Sequence, residues 1–163
     1  MRIIRTLVFA VALAICESAA APGRPPQPLP ARLLDQRLQA VHGPAATLRQ
    51  YLGRPVVVNI WATWCPPCQK ELPMLERAQR DHAEIRFVGI DQGESRARVR
   101  NYVQRMHVTY PVLLDPQDIY GAAAGFAFPT TVFINASGKI VQVHRGALDP
   151  TSLRAGIASL RRP

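Results

Sequence analysis

The stretch Val56-Val57-Val58-Asn59-Ile60-Trp61-Ala62-Thr63-Trp64-Cys65-Pro66-Pro67-Cys68 decides the fold of this chain. Its apolar first half predicts a buried central strand, and the residues from Pro67 to about His82 predict a helix. Two cysteines separated by two residues therefore stand where a strand passes into a helix. The free N–H groups and the positive dipole end of a helix start favour a thiolate, which is the reactive form of cysteine. The motif therefore indicates either thiol–disulfide exchange or half of a metal site.

The segments on either side of this stretch alternate between strand-like and helix-like patterns. The predicted strands cover residues 56–61, 86–91, 112–114, 130–135 and 139–145. The predicted helical segments cover residues 48–52, 67–82 and 95–106, a helix that starts at Asp115-Pro116, and a last helix from Asp149-Pro150 to about 161. This order predicts an α/β fold in which a central mixed sheet is flanked by helices.

The first 21 residues have the pattern of a secretory signal peptide. Arg2 and Arg5 form a basic start, an apolar run follows, and small residues lead up to Ala21. The apolar run is shorter than the roughly 20 residues that span a bilayer. We therefore expect cleavage and a periplasmic or secreted location. An uncleaved membrane anchor and a lipid attached to Cys16 are the alternatives.

Composition predicts one domain behind a short linker. Residues 22–31 are rich in proline and predict an extended linker, which leaves residues 32–163 as the domain. The net charge of +9 comes mostly from arginine and fits either a solvated basic surface or attraction to acidic partners. No basic run is interleaved with aromatic residues, which argues against nucleic-acid binding. The sequence leaves the oligomeric state open.

A metal site would need more ligands than the cysteine pair supplies. Structural zinc takes four protein ligands, and the chain has no second C-x-x-C pair. The histidines are scattered, at positions His42, His82, His107 and His144. We therefore expect neither a metal nor a cofactor. Pro129, which follows Phe128 and precedes a predicted strand, could be either cis or trans on this pattern alone.

Two segments, Val56–Pro73 and Pro129–Val141, resemble the thioredoxin fold. More narrowly, they resemble the TlpA/ResA/DsbE-like thiol–disulfide oxidoreductases of bacteria, and the likeness covers about residues 40–160. Pro73 matches the proline that kinks the active-site helix in that family. A strand and a helix between Asp91 and Pro129 match an insertion that plain thioredoxin lacks.

The resemblance implies a role for each matching residue. Cys65 would be the attacking cysteine and Cys68 the resolving one, with Pro129 as a cis-proline facing the pair. The substrate-binding surface would be lined by this proline together with Trp64, Pro66, Pro67 and Phe128. Peroxiredoxin chemistry is not indicated, because Ala62 occupies the position where that class needs threonine.

Glu71 matches the acid that stands three residues after the second cysteine in ResA-like members. A carboxylate there could accept the proton of Cys68, and the alternative is a solvated helix residue. Asn59 occupies the position of the buried acid of plain thioredoxin, which shifts the proton-accepting role toward Glu71. Ala127 and Thr130 replace residues found in many cytochrome c maturation members, so a specific role in haem attachment is less favoured.

The resemblance implies an exported oxidoreductase that exchanges disulfides with substrate proteins, most simply as a reductase. A reductase in the oxidising periplasm would need an electron donor, which we expect to be membrane-embedded. An oxidant or isomerase with the same cysteines is the first alternative. The second is a copper-binding protein of related fold, for which His144 is the one remote ligand candidate.

Overall fold

A seven-stranded sheet with helices on both faces is the framework of the chain in the computed structural model, which describes residues 27–161. The strands are β1 (Gln27–Pro28), β2 (Gln39–Ala40), β3 (Val56–Trp61), β4 (Arg86–Gln92), β5 (Val112–Asp115), β6 (Thr130–Ile134) and β7 (Lys139–Arg145). The helices are α1 (Ala31–Leu34), α2 (Pro66–Asp81), α3 (Arg96–Arg105), α4 (Ile119–Ala123), α5 (Pro150–Ser159) and a 3-10 turn at Leu48–Tyr51. The predicted signal peptide, residues 1–21 with Cys16, lies outside the described residues.

The strand order is β1-β7-β6-β3-β4-β5-β2. Strands β3, β4 and β5 run parallel, whereas β6 and β7 are antiparallel neighbours on the other side of β3. All six residues of β3 are buried, as expected for a central strand covered on both faces. The predicted mixed α/β sheet is confirmed.

Alternation along β3 decides which side chains face the cysteine-bearing helix. Val57 and Trp61 belong to the core cluster that includes residues of α2 and α5, whereas Val58 and Ile60 belong to the cluster on the opposite face. Because side chains two apart on a strand share a face, Asn59 points to the same side as Val57 and Trp61. The face of Asn59 is therefore the face of α2.

The folded unit begins before the predicted domain boundary at residue 32. Gln27 and Pro28 pair with β7, and Leu29 and Leu33 are buried in the core. The described end of the predicted linker, residues 27–31, is thus extended but packed on the domain. The sequence pattern missed this because two strand residues followed by a single helical turn carry no measurable periodicity.

The helix predicted at Asp115-Pro116 begins later, at Ile119. Asp115 stays in β5, where it pairs with Gln92, and its Oδ2 atom accepts the backbone N–H of Tyr120 at 2.7 Å. The cap position falls instead on Asp118, whose φ of 53° is in the left-handed region. The sequence predicted Asp115 at the start of this helix. An aspartate does occupy the cap position, but it is Asp118, because pairing with β4 holds Asp115 in the strand.

The segment between Asp91 and Pro129 contains α3, β5 and α4. That this segment is an insertion relative to thioredoxin stays a prediction. None of the helices within residues 27–161 has the length and apolar content needed to cross a membrane.

Candidate active site

Cys65 and Cys68 form a disulfide with an S–S distance of 2.07 Å at the junction of β3 and α2. Cys65 is the N-cap residue of α2, and its Sγ atom accepts the backbone N–H of Cys68 at 3.3 Å. This N–H is one of the donors that a helix start leaves free, so the site stabilises negative charge on the Cys65 sulfur. The predicted strand–helix junction is therefore confirmed as the position of the pair.

Both cysteines of the disulfide are buried. Cys65 is 3% exposed and Cys68 is 0% exposed. Phe128 packs against the core cluster that contains both cysteines and accounts for part of this cover. A substrate protein must therefore approach the residues around the disulfide closely before it can contact the Cys65 sulfur.

The rim of the site is aromatic and partly exposed. Trp64 is 55% exposed, and its ring meets the Phe128 ring edge-on, with centroids 6.0 Å apart. Pro66 and Pro67 are exposed at the start of α2, and Pro129 is buried behind Phe128. The Phe128–Pro129 bond is cis, as the resemblance implied. Trp64, Pro66 and Pro67 adjoin the cysteines along the chain, and the contact between Trp64 and Phe128 brings Phe128 to the same site.

Glu71 is buried in α2, 3% exposed, so its alternative interpretation as a solvated helix residue is wrong. Its Oε1 atom accepts the side-chain N–H of Asn59 at 2.7 Å, and Oε2 accepts the backbone N–H of Leu148 at 2.8 Å. Burial raises the pKa of Glu71, while these two hydrogen bonds and the charge of His144 oppose the rise. Three positions separate Glu71 from Cys68 on one helix, so both lie on the same face.

Asn59 links the acid to the strand that carries the cis-proline. Its Nδ2 atom donates to Thr131 at 3.2 Å as well as to Glu71. Thr131 follows Pro129 by two residues on β6, opposite Asn59 in the β3–β6 register. The side-chain amide of Asn59 therefore connects the buried Glu71 carboxyl group with the strand that follows Pro129.

A second buried carboxyl lies near the site and was missed by sequence reasoning. Asp91 on β4 is 0% exposed and lies opposite Trp61 in the parallel β3–β4 register. Burial, followed by the neighbouring Glu94 carboxylate, raises the pKa of Asp91 to about 9. Its signal in the sequence was an acidic residue inside an otherwise buried strand, which is rare without a partner or a function.

Phe126 is a further exposed aromatic that the sequence did not single out. It is 63% exposed, with a φ of 53°, and stands two residues before Phe128. With Trp64 it is one of three large apolar side chains that residues 27–161 leave exposed, the third being Val143. Phe126 is therefore a second exposed aromatic in the segment that leads to Phe128 and the cis-proline.

His144 lies on β7, opposite Thr131 in the β6–β7 register, and its Nε2 atom is 3.1 Å from the Ala147 carbonyl oxygen. Across residues 27–161, no three histidine, cysteine, aspartate or glutamate side chains gather in a way that could hold a metal ion. The residue types of Cys65, Cys68 and Glu71 are ones that carry thiol and proton chemistry.

The parallel β3–β4–β5 half, the β6–β7 hairpin and a C-x-x-C disulfide at the start of α2 define a thioredoxin-fold protein. The Redoxin family model matches residues 27–158, and the chain belongs to that family. A curated relative is the thiol-disulfide oxidoreductase ResA of Halalkalibacterium halodurans, 32% identical over 117 residues. That alignment covers 68% of this chain and 65% of the relative, just under two thirds of its length.

Solved structures agree with the fold. The structure of MTB DsbF in mixed oxidized and reduced forms has a TM-score of 0.72 at 27% identity, covering 81% of this chain and 98% of that one. A thiol:disulfide interchange protein of the thioredoxin family from Chlorobium tepidum has a TM-score of 0.69 at 30% identity, covering 86% and 99%. The resemblance to ResA- and DsbE-like proteins is thereby confirmed.

Proposed function

We propose that this protein is an exported thiol–disulfide oxidoreductase that reduces disulfides in substrate proteins. The observation that carries the proposal is the Cys65–Cys68 disulfide at the start of α2, beside an exposed aromatic rim. The family relatives described as thiol-disulfide oxidoreductases support it. Export rests on the signal-like pattern of residues 1–21.

The cycle starts from the dithiol form. The Cys65 thiolate attacks one sulfur of a substrate disulfide, forming a mixed disulfide and releasing the other substrate sulfur as a thiolate, which takes up a proton from solvent. Cys68 then loses its proton and attacks the Cys65 sulfur, which breaks the mixed disulfide and releases the second substrate thiolate. The substrate gains two electrons and the protein is left with the Cys65–Cys68 disulfide.

Glu71 is placed to receive the proton of Cys68. Both groups lie on one face of α2, and the raised pKa of Glu71 brings its proton affinity closer to that of a thiol. Asn59 and Leu148 hold the two carboxyl oxygens in position. The acid is therefore a buried acceptor whose two oxygens are held by hydrogen bonds.

The aromatic rim is the proposed docking surface for the substrate. Trp64 and Phe126 are both exposed, and exposed aromatics of this kind contribute strongly to protein recognition. Because Cys65 is nearly buried, an extended and locally unfolded disulfide segment fits this rim better than a folded surface does. The resulting disulfide form would be reduced again by a membrane-embedded electron donor.

Turnover tests the proposed function. With a small dithiol as donor, the wild type should accelerate reduction of a disulfide-bearing protein, and Cys65→Ala should abolish the acceleration.

The direction of electron flow is tested by equilibrating the Cys65–Cys68 pair with glutathione. The reduction potential of a reductase should lie nearer the thioredoxin value of about −270 mV than the oxidant value of about −120 mV. A potential at the oxidising end would favour the oxidant or isomerase. Stoichiometric copper binding without disulfide exchange would overturn both.

A further inference from the structure

Asp91 is a buried acid that the proposed cycle does not use. In the parallel register it lies opposite Trp61, so its side chain points to the face that α2 covers. The side chain is fully buried, and its carboxyl group interacts with the side chain and the backbone of Glu94. Burying a carboxyl group in this position costs free energy of folding unless the group contributes to the fold or to the site.

Glu94 is the neighbour of Asp91, and it holds the loop that leads to the cysteine pair. Its side chain is only 5% exposed. Its Oε2 atom accepts the backbone N–H of Thr63 at 2.5 Å, and Oε1 accepts the Thr63 hydroxyl at 2.6 Å. Arg98 forms an ion pair with Oε1 at 2.8 Å and donates its Nε–H to the Thr63 hydroxyl oxygen at 3.1 Å. On the other side of the loop, the Gln69 side chain donates to the Thr63 carbonyl at 2.7 Å. Hydrogen bonds with Glu94 and Gln69 thus hold the backbone and the side chain of Thr63 in place.

The charges around Asp91 favour its neutral form. Glu94, from the loop after β4, disfavours a second negative charge, and Arg98, from α3, favours it more weakly; these are the charged groups that act on Asp91. A carboxylate offers about four acceptor positions, and Glu94 uses two of them for hydrogen bonds from Thr63. A neutral Asp91 has one O–H to donate, and the neighbouring Glu94 carboxylate can accept it.

We propose that Asp91 is a positioning residue for the attacking cysteine: as a neutral acid it donates to Glu94, which keeps Glu94 on Thr63, two residues before Cys65. The inference rests on the proposed function, because it assigns the attack to Cys65. Loss of the Asp91 proton removes the donor and sets two like charges side by side. Glu94 then moves away from Thr63, and the loop that presents Cys65 shifts.

The oxidised protein provides the cleanest test, because cysteines in a disulfide do not titrate. Trp61 lies opposite Asp91 and Trp64 follows Thr63, so tryptophan fluorescence reports on the loop. We expect a fluorescence transition with a midpoint at about pH 9, absent in Asp91→Asn. Burial raises the pKa of all four tyrosines, so they titrate above this midpoint. A wild type without the transition, or a variant that keeps it, would overturn the proposal.

Two further variants test whether the fluorescence transition belongs to Asp91. Glu94→Gln removes a charge that raises the pKa of Asp91, so the midpoint should move to lower pH. Glu71→Gln, a matched change at another buried acid, should leave the midpoint in place. If Asp91→Asn fails to fold, the infrared spectrum of Glu71→Gln decides. A protonated-carboxyl band present at neutral pH and lost through the same midpoint supports the proposal, and its absence contradicts it.

The link to Cys65 is tested in the reduced form. The rate of attack on a small disulfide is measured for wild type and Asp91→Asn, and the ratio of the two rates cancels the cysteine titration common to both. We expect the wild-type-to-variant ratio to fall across the midpoint of the fluorescence transition. A pH-independent ratio would contradict the positioning role. A wild type that exchanges no disulfide, yet shows the Asp91-dependent transition, would overturn the proposed function and with it the role toward Cys65.

Discussion

Glu71 lies one helical turn beyond Cys68, and the state of its carboxyl sets how the resolving step should respond to pH. Only the ionised form can accept a proton, and burial raises its pKa above the ordinary carboxyl value. Resolution by Cys68 should therefore quicken as the pH rises through that raised pKa. In Glu71→Gln the step should be slower, by about tenfold or more, and should lose this dependence.

An aromatic disulfide that releases a coloured thiolate measures this step directly. The first thiolate appears when Cys65 attacks and the second when Cys68 resolves the mixed disulfide. Glu76→Gln is the matched control, since Glu76 is a second buried glutamate of α2 that instead accepts hydrogen bonds from Thr109. An unchanged pH profile in Glu71→Gln would remove the acid from the mechanism.

At the scale of elements, one glycine sets how closely α5 approaches the sheet. A Cβ atom on Gly156 would lie 2.1 Å from the Phe133 ring, which is itself fully buried on β6. Alanine is the better helix former by about 1 kcal/mol, but overpacking a rigid core costs about 1 to 3 kcal/mol. We therefore expect Gly156→Ala to lower the free energy of unfolding, measured by urea denaturation.

The matched comparisons separate packing from helix propensity. Ala155→Gly makes the reverse change at the adjacent exposed position and should destabilise by about 1 kcal/mol. Combining Gly156→Ala with Phe133→Leu relieves the close approach, so the two changes should be less harmful together than their sum. A more stable Gly156→Ala protein would show that α5 can move outward without loss.

For the whole molecule, Asp91 makes stability depend on pH in a definite direction. Its pKa is about 9 in the folded state and near the ordinary value of 3.8 in the unfolded state, so between these values the folded state binds one more proton. Stability contributed by this group is therefore present at low pH and is lost as the pH rises. The slope approaches about 1.4 kcal/mol per pH unit.

Asp91→Asn should remove that slope. Urea unfolding should be measured at several pH values between about pH 5 and pH 8. The free energy of unfolding of the variant should rise relative to that of the wild type as the pH increases. Two unfolding profiles that run parallel across this range would mean that Asp91 is ionised in the folded protein.

The periodicity of the chain was sufficient to predict the central sheet, because β3 and α2 are long and strongly patterned. It failed at β1 and α1, which are too short to carry a pattern. Pairing with β4, a tertiary contact, moved the start of α4 from Pro116 to Ile119. The burial of Glu71 and the Asp91–Glu94 neighbourhood depend on which residues meet across the sheet, and local sequence does not contain that information.

The central claim is that Cys65 attacks substrate disulfides and Cys68 resolves the intermediate. Reduced Cys68→Ala and Cys65→Ala proteins should each be incubated with a disulfide-bearing protein, and the covalent complexes identified by mass spectrometry. We expect a stable mixed disulfide through Cys65 in Cys68→Ala, and little or none in Cys65→Ala, because Cys65 is the N-cap residue of α2, where the helix start favours a thiolate. Equal trapping by the two variants, or trapping through Cys68 alone, would contradict it.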